Sequence, residues 1–147
     1  MEIKTQMAWS KYIKAVNVIA EHFKNTRFDV IVGLTRGGLI PAVLLSHAMN
    51  TPMLPFNPHL LHSNGDERGS KIKLPISPVV TRKILIVDDI SDTGKTFDKC
   101  AKFFENRGFN VNTTAVYINK QTTIFTPTFT VYDSHKRWVV FPYEKED

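Results

Sequence analysis

The run Lys83-Ile84-Leu85-Ile86-Val87-Asp88-Asp89-Ile90-Ser91-Asp92-Thr93-Gly94-Lys95-Thr96 constrains the fold of this chain more than any other stretch. Ile84 to Val87 are apolar without interruption, the mark of a strand buried on both faces, as in a parallel sheet. Two carboxylates, Asp88 and Asp89, fall where that strand is expected to end. A loop of small and polar residues, Ser91 to Thr96, follows them. It opens into a helix, because Phe97, Cys100, Ala101 and Phe104 fall at i, i+3, i+4 and i+7, and Gly108 is placed to stop it. Strand, loop and helix in this order place the chain in the α/β class.

The same order makes an anion cradle. Loop amides and hydroxyls can donate to phosphate oxygens, and the positive end of the helix dipole favours negative charge there. Carboxylates do not bind phosphate unaided, so Asp88 and Asp89 are assigned to sugar hydroxyls or to a metal that travels with the ligand. The glycine spacing of a Walker loop is missing. A plainer reading, an acidic strand end with a polar helix cap, leaves Asp-Thr-Gly-Lys-Thr after two acids without a reason.

A second strand feeding a loop at a helix start lies upstream. Asp29 to Leu34 reads as a short buried strand, with Val30-Ile31-Val32 β-branched throughout. Thr35-Arg36-Gly37-Gly38 follows, then a helix from about Leu39 to Met49 with Pro41 in its first turn, where proline is tolerated. Adjacent glycines let backbone approach an anion, and Arg36 can add a charge-assisted bond. Alone, Gly-Gly before a helix also describes an ordinary tight turn.

Together the two loops resemble a known family. Val87 to Thr96 is similar to the phosphoribosyl pyrophosphate (PRPP) signature of the type I phosphoribosyltransferases, and Gly33 to Pro41 to the pyrophosphate loop of their purine-salvage branch. The resemblance closest in kind is to the xanthine–guanine and hypoxanthine–guanine enzymes. It implies a twisted, mostly parallel sheet flanked by helices, with a small C-terminal hood. It further implies that Thr35, Arg36 and Gly37 hold pyrophosphate, that Asp88 and Asp89 hold the ribose hydroxyls, and that Ser91, Asp92, Thr93, Gly94, Lys95 and Thr96 hold the 5-phosphate end of PRPP. Asp89 is the expected Mg2+ residue, through water, and Asp92 the expected general acid–base. Lys120, Trp138 and Val139 match, in order and spacing, the residues that contact the purine oxygen, stack on the ring and read its edge. Tyr143 stands where short members often carry Trp.

The rest of the chain sets bounds. Its 147 residues suit one domain, 1–147, with a 42% apolar and 22% charged composition ordinary for a soluble protein. Nineteen basic against fourteen acidic residues give +5. These are scattered rather than clustered, which favours a small polyanion over nucleic acid. No apolar run approaches the roughly 20 residues of a membrane span and no leader is evident, so a cytoplasmic protein with no membrane partner is expected. The single Cys100 reads as a core thiol, and the five histidines lack zinc spacing.

Trp9, Ile13, Val16, Ile19, Ala20 and Phe23 recur at helical spacing over about 8–24. Short strands are expected at 52–56, 60–62, 111–118 and 129–132. Between 63 and 80 the sequence turns polar, and the family places a flexible lid there. Residues 136–147 supply the hood. A homodimer or homotetramer is implied, with Leu54, Phe56 and Leu60 as candidate interface residues.

The reading is thus phosphoribosyl transfer from PRPP to guanine, xanthine or hypoxanthine. Two alternatives stand beside it: transfer to a pyrimidine or nicotinate-like base, and a non-catalytic PRPP sensor that binds nucleic acid. Retention of Asp92 and Lys120 weighs against the sensor.

Overall fold

The computed structural model describes residues 3–145, so the last two residues of the expected hood lie outside it. Strands β1 (Lys4–Gln6), β2 (Val30–Leu34), β3 (Met53–Phe56), β4 (Lys83–Ser91), β5 (Asn110–Ile118), β6 (Phe129–Asp133) and β7 (Trp138–Val140) alternate with helices α1 (Trp9–His22), α2 (Leu39–Met49) and α3 (Lys95–Asn106). A short 3-10 helix spans Pro58–Leu60. The main sheet has the order β3-β2-β4-β5-β6, and every neighbouring pair in it is parallel. The parallel sheet and flanking helices expected from the sequence are therefore present.

Alternation along β2 and β4 divides the core. Ile31, Leu85 and Val87 pack with Tyr12, Ala15, Val16 and Ile19 of α1 and with Ala42 and Leu45 of α2. Val30, Val32, Ile84 and Ile86 pack on the other face with Phe97, Cys100, Phe103 and Phe104 of α3. A strand covered by helices on both sides must be apolar at every position, which is why Ile84 to Val87 show no period of two. Cys100 is buried, and desolvation pushes its thiol up to about 12.

Several local expectations need correction. No strand forms at 60–62: Leu60 ends the 3-10 helix that Asn57 and Pro58 start, and Leu61 makes only an isolated bridge to Glu67. Phe56 belongs to the core, packed 5.3 and 5.1 Å from the Phe103 and Phe104 rings, and is not available to a subunit interface. Leu60 is 44% exposed. The strand of the central motif runs past the acids to Ser91, so Asp88 and Asp89 lie within β4 rather than beyond it. The tail is also more ordered than its sequence suggests, because β7 pairs in parallel with β1, joining the two ends of the described chain.

Residues 63–80 run beside α3. Glu67 forms an ion pair with Arg107, whose guanidinium stacks 4.4 Å above Phe103, and Ile72, Leu74 and Ile76 pack against the α3 side of the core.

Candidate active site

Because the main strands are parallel, their carboxyl ends share one edge, and the loops after β2, β4 and β5 emerge there together. Open α/β sheets bind ligands at this edge. The Thr35–Arg36 peptide in the first loop is cis. Gly38 donates its amide to the Leu34 carbonyl at 2.9 Å. Its α-carbon is wedged against the Val87 carbonyl and the Leu34 backbone, where any β-carbon would overlap both. A β-carbon on Gly37 would overlap the Asp89 carboxylate. The two sequence motifs, fifty residues apart, thus meet where Gly37 faces Asp89. Thr35 is half-buried and Arg36 projects into solvent.

The acid pair is enclosed. Asp88 accepts the Asp89 amide at 2.8 Å, and the Tyr143 hydroxyl donates to Asp89 Oδ2 at 3.1 Å. Burial, and then the charge of Asp89, hold the Asp88 carboxyl well above the usual carboxylate range. Burial likewise raises Asp89, with the Glu144 charge adding to it and the Tyr143 bond opposing. Two desolvated carboxylates side by side are costly unless a cation or hydroxyl groups meet them.

The loop after β4 is braced by residues 119–125. Asp92 Oδ1 accepts from Asn119 Nδ2 at 3.0 Å and from the Thr122 hydroxyl at 3.3 Å, and the same hydroxyl reaches the Asp92 carbonyl at 2.8 Å. Ile124 donates its amide to Thr93 O at 2.8 Å. The buried Ser91 hydroxyl lies 3.0 Å from Thr123 Oγ1 and donates to the Phe125 carbonyl. Gly94 turns the chain at φ +80° into α3. Asp92, Thr93 and Lys95 stay exposed, Thr96 half-buried, at the positive end of the helix.

Beside Asp89 and Asp92 opens a cavity of about 380 Å³. Ile90, Asn119, Thr122 and the hood residues Lys136, Arg137, Trp138, Val139, Phe141 and Glu144 complete its lining. That volume suits a small-molecule ligand. Trp138 leaves 52% of its surface exposed, whereas Val139 is buried. Of the residues singled out in the sequence, Asp89, Asp92, Trp138 and Val139 meet at this cavity. Lys120 is exposed one residue beyond Asn119 and is not part of the lining. Asn119, Thr122, Thr123 and Tyr143 were not assigned to the site from sequence, because each acts through a contact with a residue distant in the chain.

A larger cavity of about 640 Å³ opens at the opposite edge, among Phe23 to Asp29 and Ala48 to Pro52. The carboxy-terminal ends of α1 and α2 both face it. Their partial negative charge disfavours an anion there.

Among the described residues, no group of three or more His, Cys, Asp or Glu side chains could hold a metal. Magnesium, however, is commonly held by one or two carboxylates together with waters and substrate phosphates. Asp88 and Asp89 fit that mode, being adjacent, desolvated and beside the Gly37 backbone.

The sequence pattern of the family described as "Phosphoribosyl transferase domain" matches residues 8–146. The chain belongs to this family. Within it, the chain is 27% identical over 123 residues to the xanthine-guanine phosphoribosyltransferase of Cereibacter sphaeroides, covering 82% of this chain and 71% of that one. It is 29% identical over 107 residues to the orotate phosphoribosyltransferase of Sulfurisphaera tokodaii, covering 72% of this chain but spanning only 51% of that relative's length. Among solved structures, the purine phosphoribosyltransferase of Pyrococcus horikoshii superposes with a TM-score of 0.83 at 29% identity, over 98% of this chain and 96% of that one. No helix among the described residues of this family member is long and apolar enough to cross a membrane.

Proposed function

We propose that this protein transfers the 5-phosphoribosyl group of PRPP to a ring nitrogen of a 6-oxopurine, releasing pyrophosphate and the nucleoside monophosphate, as in purine salvage. One observation carries the reading. Asp92, fixed by Asn119 and Thr122, stands at the same cavity as Asp89, which faces the Gly37 loop, and Trp138 and Val139 of the hood line that cavity as well. A ligand spanning this arrangement has an anionic end, a hydroxylated middle and a flat apolar end. The purine relatives favour a purine acceptor, and the orotate relative keeps a pyrimidine in view.

Cleaving the anomeric carbon–oxygen bond gives an oxocarbenium-like transition state and a highly charged leaving group. Thr35, Arg36 and the Gly37 backbone are assigned to the pyrophosphate. Asp88 and Asp89 accept the ribose hydroxyls. Amides and hydroxyls of Thr93 to Thr96, with Lys95 adding charge, take the 5-phosphate, while Ser91, expected from the sequence to bind PRPP, is buried and braces the loop through the Phe125 carbonyl. Magnesium bound with PRPP, held at Asp89 through water, would neutralise leaving-group charge. Asp92 takes the proton from the incoming base, a role typically worth about 10²–10⁴-fold. Trp138 stacks on the base, the Val139 backbone reads its edge, and Lys120 reaches from the rim to the exocyclic oxygen. Closure of 63–80 over the site would exclude the water that competes for the oxocarbenium. It would require Ile72, Leu74 and Ile76 to leave the α3 side of the core against which they pack. Assembly as a homodimer or homotetramer is part of the same proposal, and sedimentation of a monomer at micromolar concentration would remove it.

The test is pyrophosphate release with PRPP and magnesium against guanine, xanthine, hypoxanthine, adenine, uracil, orotate and nicotinate. Turnover with a 6-oxopurine is expected. Turnover with orotate or nicotinate alone would keep the PRPP site and discard the base assignment. PRPP binding without turnover would establish the sensor instead.

A further inference from the structure

The hood carries a side chain that this chemistry does not use. Tyr143 lies beyond β7, yet its ring turns inward. It stacks on Phe141 at 5.6 Å and 7°, meets Tyr12 edge-on at 5.6 Å, and leans on Trp9 at 6.1 Å. Packed on three sides, the ring delivers its hydroxyl to Asp89 Oδ2. Asp89 is pressed on its other side against the Gly37 backbone. Outside the acid pair, no other side chain among the described residues is seen to donate to this carboxylate.

We propose that Tyr143 is a positioning residue. Its hydroxyl fixes the Asp89 carboxylate in the orientation that receives PRPP with magnesium, and so ties the base-binding hood to the PRPP-binding edge. The inference rests on the transferase reading above. The physical reason is that a buried carboxylate with two free torsions must otherwise be ordered by its ligand, and that ordering subtracts from affinity. A phenol held by aromatic packing orders it beforehand. Tyr143 need not touch PRPP to act in this way.

The packing role of Tyr143 separates cleanly from the hydroxyl role. Tyr143→Phe keeps the ring and removes only the donor. Tyr12→Phe removes a buried hydroxyl from the same aromatic cluster; that hydroxyl has no hydrogen-bond partner of good geometry, although it faces the Tyr143 phenol, and it makes no bond to Asp89. The experiment is calorimetric titration of PRPP with magnesium into the parent, Tyr143→Phe, Tyr12→Phe, Asp89→Asn and the Tyr143→Phe/Asp89→Asn pair. Thermal melting of each accompanies it. For Tyr143→Phe we expect PRPP affinity to fall about two- to tenfold, the usual effect of leaving one side chain to be ordered by its ligand. In steady state, KM for PRPP should rise while KM for the base at saturating PRPP stays within about threefold. Tyr12→Phe should bind as the parent does. In the Asp89→Asn background, loss of the Tyr143 hydroxyl should add nothing further, the signature of a shared interaction.

Parent-like PRPP affinity in Tyr143→Phe would overturn the proposal. So would equal weakening in Tyr12→Phe, or full additivity with Asp89→Asn, because each assigns the effect to packing. A parent protein that binds no PRPP at all is a different result. It would remove the transferase reading itself, and this inference with it.

Discussion

Replacing Gly94 by alanine probes the phosphate loop where it is tightest, and the expected loss can be worked from the geometry. Gly94 sits at φ +80°, a region in which a β-carbon costs about 1–2 kcal/mol for an L-residue. The added carbon would also lie 2.5 Å from Thr123 Oγ1 and 2.7 Å from the Phe125 amide nitrogen. Ordinary contact needs about 3.5 Å, so each neighbour must retreat by roughly 0.8–1 Å. The Thr123 hydroxyl cannot yield freely, because it donates to the Phe125 carbonyl at 2.6 Å and lies 3.0 Å from Ser91 Oγ. Overpacking of this kind costs about 1–3 kcal/mol. The combined penalty is about 2–5 kcal/mol, which for a domain of this size lowers Tm by roughly 6–16 °C. Scanning calorimetry of Gly94→Ala against the parent measures it, and PRPP affinity should fall as the loop is pushed open. Gly94→Asn separates the two contributions. Asparagine tolerates the left-handed region but is larger, so a greater loss than alanine shows that the clash dominates. A Gly94→Ala protein melting within about 2 °C of the parent would show that neither strain nor overlap is present at this turn.

Three further outcomes are expected. Asp92→Asn should lower turnover by about 10²–10⁴-fold while leaving PRPP affinity near that of the parent, and unchanged turnover would remove Asp92 as the proton acceptor. Asp88→Asn should raise the melting temperature of the ligand-free protein at pH 8. The native Asp88 carboxyl titrates above its unfolded range, so its contribution to folding is present in acid and is lost as pH rises through the folded value. The advantage of the variant should therefore shrink on lowering the pH towards 5, and an advantage that grows in acid would reverse the sign assigned here. Trp138→Ala should raise KM for the base far more than KM for PRPP, and Lys120→Ala should do so to a smaller extent from its position at the rim. Steady-state kinetics with each substrate varied in turn distinguish these from a general loss of the hood.

Much of the sheet was legible because buried parallel strands need unbroken apolar runs. Val30 to Val32, Ile84 to Val87 and Ala115 to Ile118 are such runs, and they became β2, β4 and β5. Helix α3 was legible for the complementary reason, since only one of its faces meets the core. The failures have a common cause. At 60–62 the local pattern was too short to distinguish a strand from the 3-10 turn that Asn57 and Pro58 start. Pairing of β7 with β1 joins residues more than 130 positions apart, and neither three-residue segment carries a periodic signal. Phe56 reads as a surface candidate until the fold lays α3 over it.

The candidate site divides in the same way. What the sequence determined by itself is the set of residue types whose backbone role is local: the glycines of the first loop, the acids of β4 and the small polar turn before α3. Each is dictated by a close approach, a charge or a left-handed turn within a few residues. Which of them meet is settled by packing between distant segments. Gly37 abuts Asp89, Asn119 and Thr122 hold Asp92, and Tyr143 reaches back from the hood to the carboxylate. The physical reason is that hydrogen bonds and steric exclusion act over about 3 Å, and separation along the chain does not limit which residues a fold can bring within that range.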